Sequence, residues 1–527
     1  VRHAAIGALF GLACSAAALS SVLAADLVIG ARTELAMDPH AQWLDTNTSY
    51  YNHIYGSLVR IDERSAIVPD LAESWKIVSD TEWQFNLRKG VKFHDGSSLD
   101  AADIVASFAR ARTLPTATSP FTGAIATVKE VKAVDENTIS ITTTRPDPVL
   151  LHAIANIQII PSELGGATTD SFNTGKSVVG TGPYKYSGFK AGDRLELARN
   201  PDYWGKKATW DRVTFRFIPD DAARVAALLG NDVDLIDFVP PRLVERVSAA
   251  PNAALFLGPS DRPIFLIMDT ERDVSPFIKD KNGVALTKNP LKDKRVREAL
   301  TIAIDRPLLA KRVMDGAATP SSQPTAPGFG GYNDSLKVPP FDAARAKALL
   351  AEAGYPDGFA MTVHCTNDRY VNDEKVCQAI GQMLARIGLK MSVEALPRSV
   401  FFPVATNHTS DARYSFLLLG WGNSSTGDAG LVPNMLHSYD KPRGLGTWNL
   451  GHYSNPEIDK TIEAAVSTMD LKKRYEGLAQ SMKLAMEDHA LIPLYTQSVI
   501  MAARKGLTYT TWANERTNAE SVGGTKP

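Results

Sequence analysis

Cysteine is scarce in this chain, three among 527 residues, and no Cys-x-x-Cys or His-Glu-x-x-His spacing offers a metal site. An excess of either charge is missing too. Lys and Arg total 57 against 58 Asp and Glu, a formal net charge of -1, and no run of five like charges occurs. That balance leaves no electrostatic footprint for nucleic acid or anionic lipid. Beyond residue 25 no apolar run reaches the roughly 18 residues needed to span a bilayer. The chain lacks a Gly-x-x-x-x-Gly-Lys-Ser/Thr loop for ATP, a Gly-x-Ser-x-Gly elbow, and a Ser-x-x-Lys followed by Lys-Thr-Gly. Its ten histidines are scattered without ligand spacing. These absences argue against an exported enzyme, and no cofactor or metal is expected.

What is present is a globular composition, 44% hydrophobic and 22% charged, in a length suited to roughly three domains of about 150 residues. Arg2 and His3 precede an apolar stretch from Ala4 to about Leu19. Small residues then lead through Ala24 and Ala25 to Asp26. This pattern predicts a secretory signal peptide over residues 1–25 and a periplasmic mature protein. Cys14 lacks a large aliphatic residue three positions before it, which disfavours lipid attachment. Cys365 and Cys377 remain, an even count for an oxidising compartment, separated by a strand-to-helix turn. They are expected to form a disulfide contributing roughly 3 kcal/mol. Two buried thiols, or a metal pair helped by His364, are the alternatives.

Strands and helices alternate. Leu27–Ala31 and the apolar/polar alternation of Trp83–Leu87 read as strands. Ser98–Arg112 reads as a helix capped by Asp100. Asp220 or Asp221 caps Ala222–Leu229, which Gly230 stops. Asp342 opens Ala343–Ala353, and Asn372 or Asp373 opens a helix running through Ile387, with a strand over Leu389–Ala395. The loop Thr319–Gly331, rich in Ser, Thr, Pro and Gly, is expected to cross the surface. Repeated helix–Gly–strand order points to an α/β fold.

Several stretches in order carry a resemblance. Pro69-Asp70-Leu71-Ala72-Glu73-Ser74-Trp75 leads to Phe85-Asn86-Leu87-Arg88-Lys89-Gly90-Val91-Lys92-Phe93-His94-Asp95-Gly96. Gly180-Thr181-Gly182-Pro183-Tyr184 and Arg199-Asn200-Pro201-Asp202-Tyr203-Trp204-Gly205 follow. Lys292-Asp293-Lys294-Arg295-Val296-Arg297-Glu298-Ala299-Leu300, Ala303-Ile304-Asp305-Arg306, Gly420-Trp421 and Gly451-His452-Tyr453-Ser454-Asn455-Pro456 complete the series. From about residue 26 to 500 the chain resembles the family 5 bacterial extracellular solute-binding proteins, the dipeptide, oligopeptide and nickel receptors. By their own chemistry Gly90, Gly96, Gly180 and Gly182 read as turn glycines needing unusual backbone angles, and Trp75, Trp83 and Trp204 as core aromatics.

The resemblance implies a periplasmic-binding-protein type II (cluster C) fold, two lobes with an extra domain around a hinged cleft. Residues 26–58, 182–272 and 494–527 would form lobe I, 59–181 the extra domain and 273–493 lobe II, with the hinge near residues 272 and 494. A ligand touching both lobes would favour closure. The expected partners are a small-molecule ligand and the membrane permease of an ABC importer, with the receptor itself a monomer. The ligand would be a short peptide, or an amino-acid-derived anion or zwitterion such as an opine. A sugar derivative, nickel or haem are alternatives within the family.

In peptide-binding relatives an aspartate three residues after the Gly-Trp tryptophan pairs with the ligand's amino group. Here Gly422, Asn423 and Ser424 follow Trp421, so a serine takes that place, with Asp428 as a possible substitute. Arg369, in a stretch similar to one where a dipeptide-binding relative holds the ligand carboxylate, is the strongest candidate, with Tyr370 beside it. An arginine fork suits a carboxylate. Glu34 and Leu35 after the first strand, and Asn449 in the Trp448–Leu450 stretch, are further candidate contacts.

Overall fold

A computed structural model describes residues 26–42, 45–115, 121–122, 125–410, 413–423 and 426–524. The expected signal peptide, with Cys14, and the candidate Ser424 lie outside the described residues.

The local signals are realised as chemistry dictates. Asp100 caps the helix Ala101–Thr113 in a reciprocal capping box with Asp103. Asp220 caps Asp221–Leu229, which ends at Gly230. Asp342 caps Ala343–Glu352, and Gly354 beyond it takes φ +95°. Asn372, itself left-handed at φ 55°, precedes Asp373–Ala385, and the strand Lys390–Leu396 follows.

The fold is mixed α/β. A twelve-stranded sheet runs through the molecule, and a separate four-stranded antiparallel sheet spans Ala72–Thr143. In the large sheet Asp26–Ala31 lies between Arg212–Phe217 and Leu235–Ile236, parallel to both. At the other end Ala360–Thr366 pairs in parallel with Lys390–Leu396. Two long antiparallel strands join these ends, Ala253–Met268 and Leu491–Arg504.

Each long strand changes hydrophobic core partway along. Val499, Met501 and Ala503 pack with Leu27, Ile29 and Phe215, whereas Ile492, Leu494 and Tyr495 pack with Ile264, Leu266, Val363 and Leu418. The change coincides with a break in the ladder between Pro259 and Pro263. Proline supplies no ladder donor, so strands tolerate it at such irregularities. The chain therefore passes between the two halves within its longest strands, some ten residues before position 272 on the first strand and just past 494 on the second. A further core gathers residues from Leu58 to Ile159 around the four-stranded sheet.

Three sequence readings change. Cys365 and Cys377 are both buried, free thiols. They sit in the core between strand and helix, and burial pushes the Cys377 thiol well up, so it is inert there. The Thr319–Gly331 loop is not a surface crossing, because Ser321–Ala326 are buried. Gln323 makes this tolerable: its amide donates to Asn333 O (2.9 Å) and accepts from Asn333 N (3.0 Å). Gly180 and Gly182 serve close approach rather than unusual angles. A Cβ at Gly180 would stand 2.1 Å from Ile54 O and one at Gly182 2.6 Å from His53 O. Gly90 and Gly96 do take positive φ, 75° and 93°.

Arg110, on the helix Ala101–Thr113, forms a bidentate pair with Asp38 (2.7 Å for both bonds), and both side chains are fully buried. Thr169 adds a bond to Asp38 Oδ2 at 2.9 Å. Removing one partner of such a pair strands a buried charge. Arg110→Ala is expected to cost about 3–5 kcal/mol, seen as a lower urea midpoint with an unchanged slope.

Candidate functional site

A cleft opens where the two halves meet. Two adjoining cavities of about 670 and 490 Å³ fill it, and nine residues, among them Arg32, Arg262, Arg369, Tyr370 and Glu515, line both. One wall of the larger cavity comes from Ala31–Glu34, Thr46–Tyr50 and Asn514–Thr517; the other from Arg369, Arg398, Phe402, Leu419–Gly422 and Trp448. The space suits a small organic ligand.

Arg369 stands on a loop that Asp373 organises. The Asp373 carboxylate accepts the Thr366 hydroxyl (2.6 Å) and the backbone N–H groups of Arg369 and Tyr370 (3.1 Å each). Asp373 thus holds the backbone and leaves the guanidinium to the cleft, where it lies over the Tyr370 ring at 5.2 Å. The enclosing walls, then Arg262, lower the Arg369 pKa from the ordinary arginine value. Tyr370 in turn donates to Gly420 O at 3.2 Å. A Cβ at Gly420 would meet the Tyr370 ring at 2.7 Å and Ile264 at 2.6 Å, so the glycine before Trp421 is what admits that ring. Trp421 packs edge-on against Trp448, and Trp448 against Phe402, forming an aromatic wall.

Glu515 closes the floor, at the ladder break. Ser260 Oγ donates to it at 2.9 Å, Arg262 Nε approaches at 3.3 Å and Gln497 Nε2 at 3.4 Å. Burial opposes ionisation, but Arg262 and Arg32, with the Ser260 hydroxyl, overcome it and hold the carboxyl at about 2. Gln497 also accepts the Val371 N–H at 3.2 Å, which ties the Arg369 loop to the long strand.

The sequence candidates divide. Arg369, Tyr370, Trp421, Gly422 and Glu34 line the cleft. Asp428 does not: it is sealed in the interior against Arg474 (2.7 Å), where burial raises its pKa. Asn449 is buried with its amide donating to His437 O and Tyr453 O and accepting Tyr453 N; its neighbour Trp448 faces the cleft instead. Leu35 belongs to a hydrophobic core, and Asn423 is buried while donating to Asp261 O at 2.8 Å, bracing the ladder break. Sequence reasoning missed Arg32, Arg262, Arg398 and Glu515. Arg32 directly follows the first strand, two residues before Glu34, and is within reach of sequence reasoning. The other three carry no motif. Neither lining set contains a histidine, and among the described residues no cluster of three His, Cys, Asp or Glu could hold a metal ion.

Residues 66–443 match the family described as bacterial extracellular solute-binding proteins, family 5 Middle. The glutathione-binding protein GsiB of Salmonella paratyphi A is 27% identical over 517 residues, 96% of either chain. Heme-binding protein A of Haemophilus influenzae is 26% identical over 84% of this chain and 81% of its own. Among solved structures, HbpA2 of Haemophilus parasuis superposes with a TM-score of 0.79 at 22% identity, covering 95% of this chain and all of that one. AgaA of A. tumefaciens R10, in complex with agropinic acid, superposes with a TM-score of 0.73 at 25% identity, covering 95% and 99%.

Because Glu515 has a folded pKa of about 2 against an ordinary 4.5, its contribution to stability is full above about 4.5 and is lost as pH falls toward 2. Glu515→Gln should therefore flatten the decline of melting temperature between pH 4.5 and 2, followed by circular dichroism.

Proposed function

The chain belongs to the family 5 bacterial extracellular solute-binding proteins, and we propose from that premise that it captures a small zwitterionic or anionic solute by closing its two lobes. The family's members are binding proteins rather than enzymes. The observation that carries this reading is the cleft itself: it lies between halves joined by two long strands, and residues of both halves line it. A molecule bridging the walls stabilises the shut form by its differential affinity for it. Hinge motion of this kind needs only a few residues to change backbone angles. The ladder break at Pro259–Pro263, beside Gln497, offers those residues.

The apportioning into lobe I, an extra domain near residues 59–181 and lobe II near 273–493 is part of this proposal, supported by the separate cores and by the point where the long strands change core. Export by the N-terminal segment and delivery to an ABC permease complete it. Periplasmic location agrees with the relatives, and among the described residues no helix is long and apolar enough to cross a membrane.

Arg369, Tyr370, Trp421, Gly422 and Glu34 are the proposed contacts, to which the cleft adds Arg32, Arg398 and Trp448. The relatives named for glutathione and crystallised with agropinic acid make a carboxylated amino-acid derivative the favoured class.

Two measurements test the reading. Solute retained by the purified protein, identified by native mass spectrometry, should contract the radius of gyration in X-ray scattering when added back to emptied protein. An unchanged radius with bound ligand would remove the hinge mechanism. Arg369→Ala should weaken an acidic ligand by about 1.5–3 kcal/mol in calorimetric titration, the worth of a hydrogen bond to a charged group.

A further inference from the structure

The lining of the larger cavity holds more arginine than carboxylate, although over both cavities together the charges balance. Five arginines line the larger cavity, Arg32, Arg262, Arg369, Arg398 and Arg516, against the carboxylates Glu34, Asp237 and Glu515, a surplus of two. Two of the carboxylates are already engaged with cations and a third with a backbone N–H. Glu515 is held by Ser260, Arg262 and Gln497. Asp237 accepts the Arg32 N–H at 2.9 Å and faces Arg224 at 3.4 Å. Glu34, exposed at the rim, accepts the Gly192 N–H at 3.1 Å.

Three arginines are different. Arg32 lies over the Phe238 ring at 5.0 Å and Arg369 over Tyr370 at 5.2 Å, while Arg398 is anchored only through its backbone, to Asp368 at 2.8 Å. Among the described residues none of these three guanidiniums is in ion-pair contact with a carboxylate. Burial and then Arg262 disfavour the charge on Arg369, Tyr370 and Glu515 favour it, and Arg32 disfavours it, so the like charges of both walls act on one space. They come from opposite walls, Arg32 from the first strand's end and Arg369 and Arg398 from the other half. An ammonium group entering between these three would meet repulsion, with Glu34 at the rim as the carboxylate not paired to a cation.

We propose that the site selects dianions: solutes with two carboxylates, or one phosphomonoester, and no uncompensated ammonium, held between Arg32 on one lobe and Arg369 and Arg398 on the other. This rests on the receptor reading and narrows its ligand class. Charge-assisted, two-pronged guanidinium bonds are suited to either anion. The aromatic wall of Phe402, Trp421 and Trp448 takes the apolar or ring portion.

The test is a charge ladder on fixed scaffolds, read by calorimetry and thermal shift on the emptied protein. One series is dialanine, N-acetyl-dialanine and N-acetyl-alanyl-glutamate, of net charge zero, minus one and minus two. The other is glucose, glucarate and glucose 6-phosphate, the last two separating a dicarboxylate from a phosphomonoester source. A dianion from at least one scaffold should bind ten-fold or more tighter than its neutral member. Arg32→Gln and Arg398→Gln should each shrink that ratio several-fold, Arg398→Gln without lowering the melting temperature of the empty protein. Dialanine binding as tightly as N-acetyl-alanyl-glutamate would overturn dianion selection and leave the receptor reading intact. So would a charge ratio that neither variant changes. Silence across both series and across free-amine dipeptides and haem would sink the receptor reading along with the proposal.

Discussion

The structure depends on the pairing of Ala253–Met268 with Leu491–Arg504. Those two strands serve both cores, and a ladder of main-chain bonds between them fixes how the halves can face each other. Where Pro259 and Pro263 interrupt that ladder, the three intervening residues bond outward instead. Ser260 reaches Glu515, Asp261 N–H reaches Ala513 O, and Asp261 O receives Asn423 from the opposite half. The break is therefore soft as a strand yet braced by these bonds, which suits a hinge because few ladder bonds need distort. Glu515, at φ 63°, takes its place in this junction, so the floor of the cleft and the flexing point are one structure.

Much of the fold was legible because it rests on short-range chemistry. Asp100, Asp220 and Asp342 announced helix starts, since a carboxylate one residue ahead of a helix satisfies amides that nothing else can. The ordered motifs gave the architecture as well, though their residues act in packing: Gly420 admits Tyr370, Gly180 and Gly182 admit a helix end. Less was legible where the partner is distant in sequence. Asp428 reads as a ligand contact from its place after Trp421 because Arg474, its buried partner, is 46 residues away, and Ser321–Ala326 read as surface because the pairing of Gln323 with Asn333 cannot be inferred from local polarity. The cysteines were judged by compartment and spacing, but strand-to-helix packing hides each thiol in an apolar core.

The site was half legible for the same reason. Arg369 sits in a motif-like stretch, and Asp373, the residue that fixes its loop, lies only four positions on. Arg262 and Glu515 are 253 residues apart and meet only because the long strands return to one another. Arg398 belongs to a short helix whose sequence signals nothing about which wall it joins. Cleft electrostatics is thus a property of topology, and composition, near neutral overall, conceals it.

That topology couples charge to motion. With the cleft empty, bringing the Arg369 and Arg398 wall toward Arg32 concentrates like charge while stripping water from it, and both effects oppose closure. Glu515 offsets part of this for Arg369 and Arg32, although Arg262 and Ser260 also hold it. An anion between the walls reverses the sign: each guanidinium gains attraction as the lobes approach, and the same loss of water that penalised the empty form now strengthens the bond. The receptor then needs no catalytic step and no internal latch to distinguish loaded from empty. On the proposed dianion reading, the ligand's charge supplies the differential affinity on which closure depends.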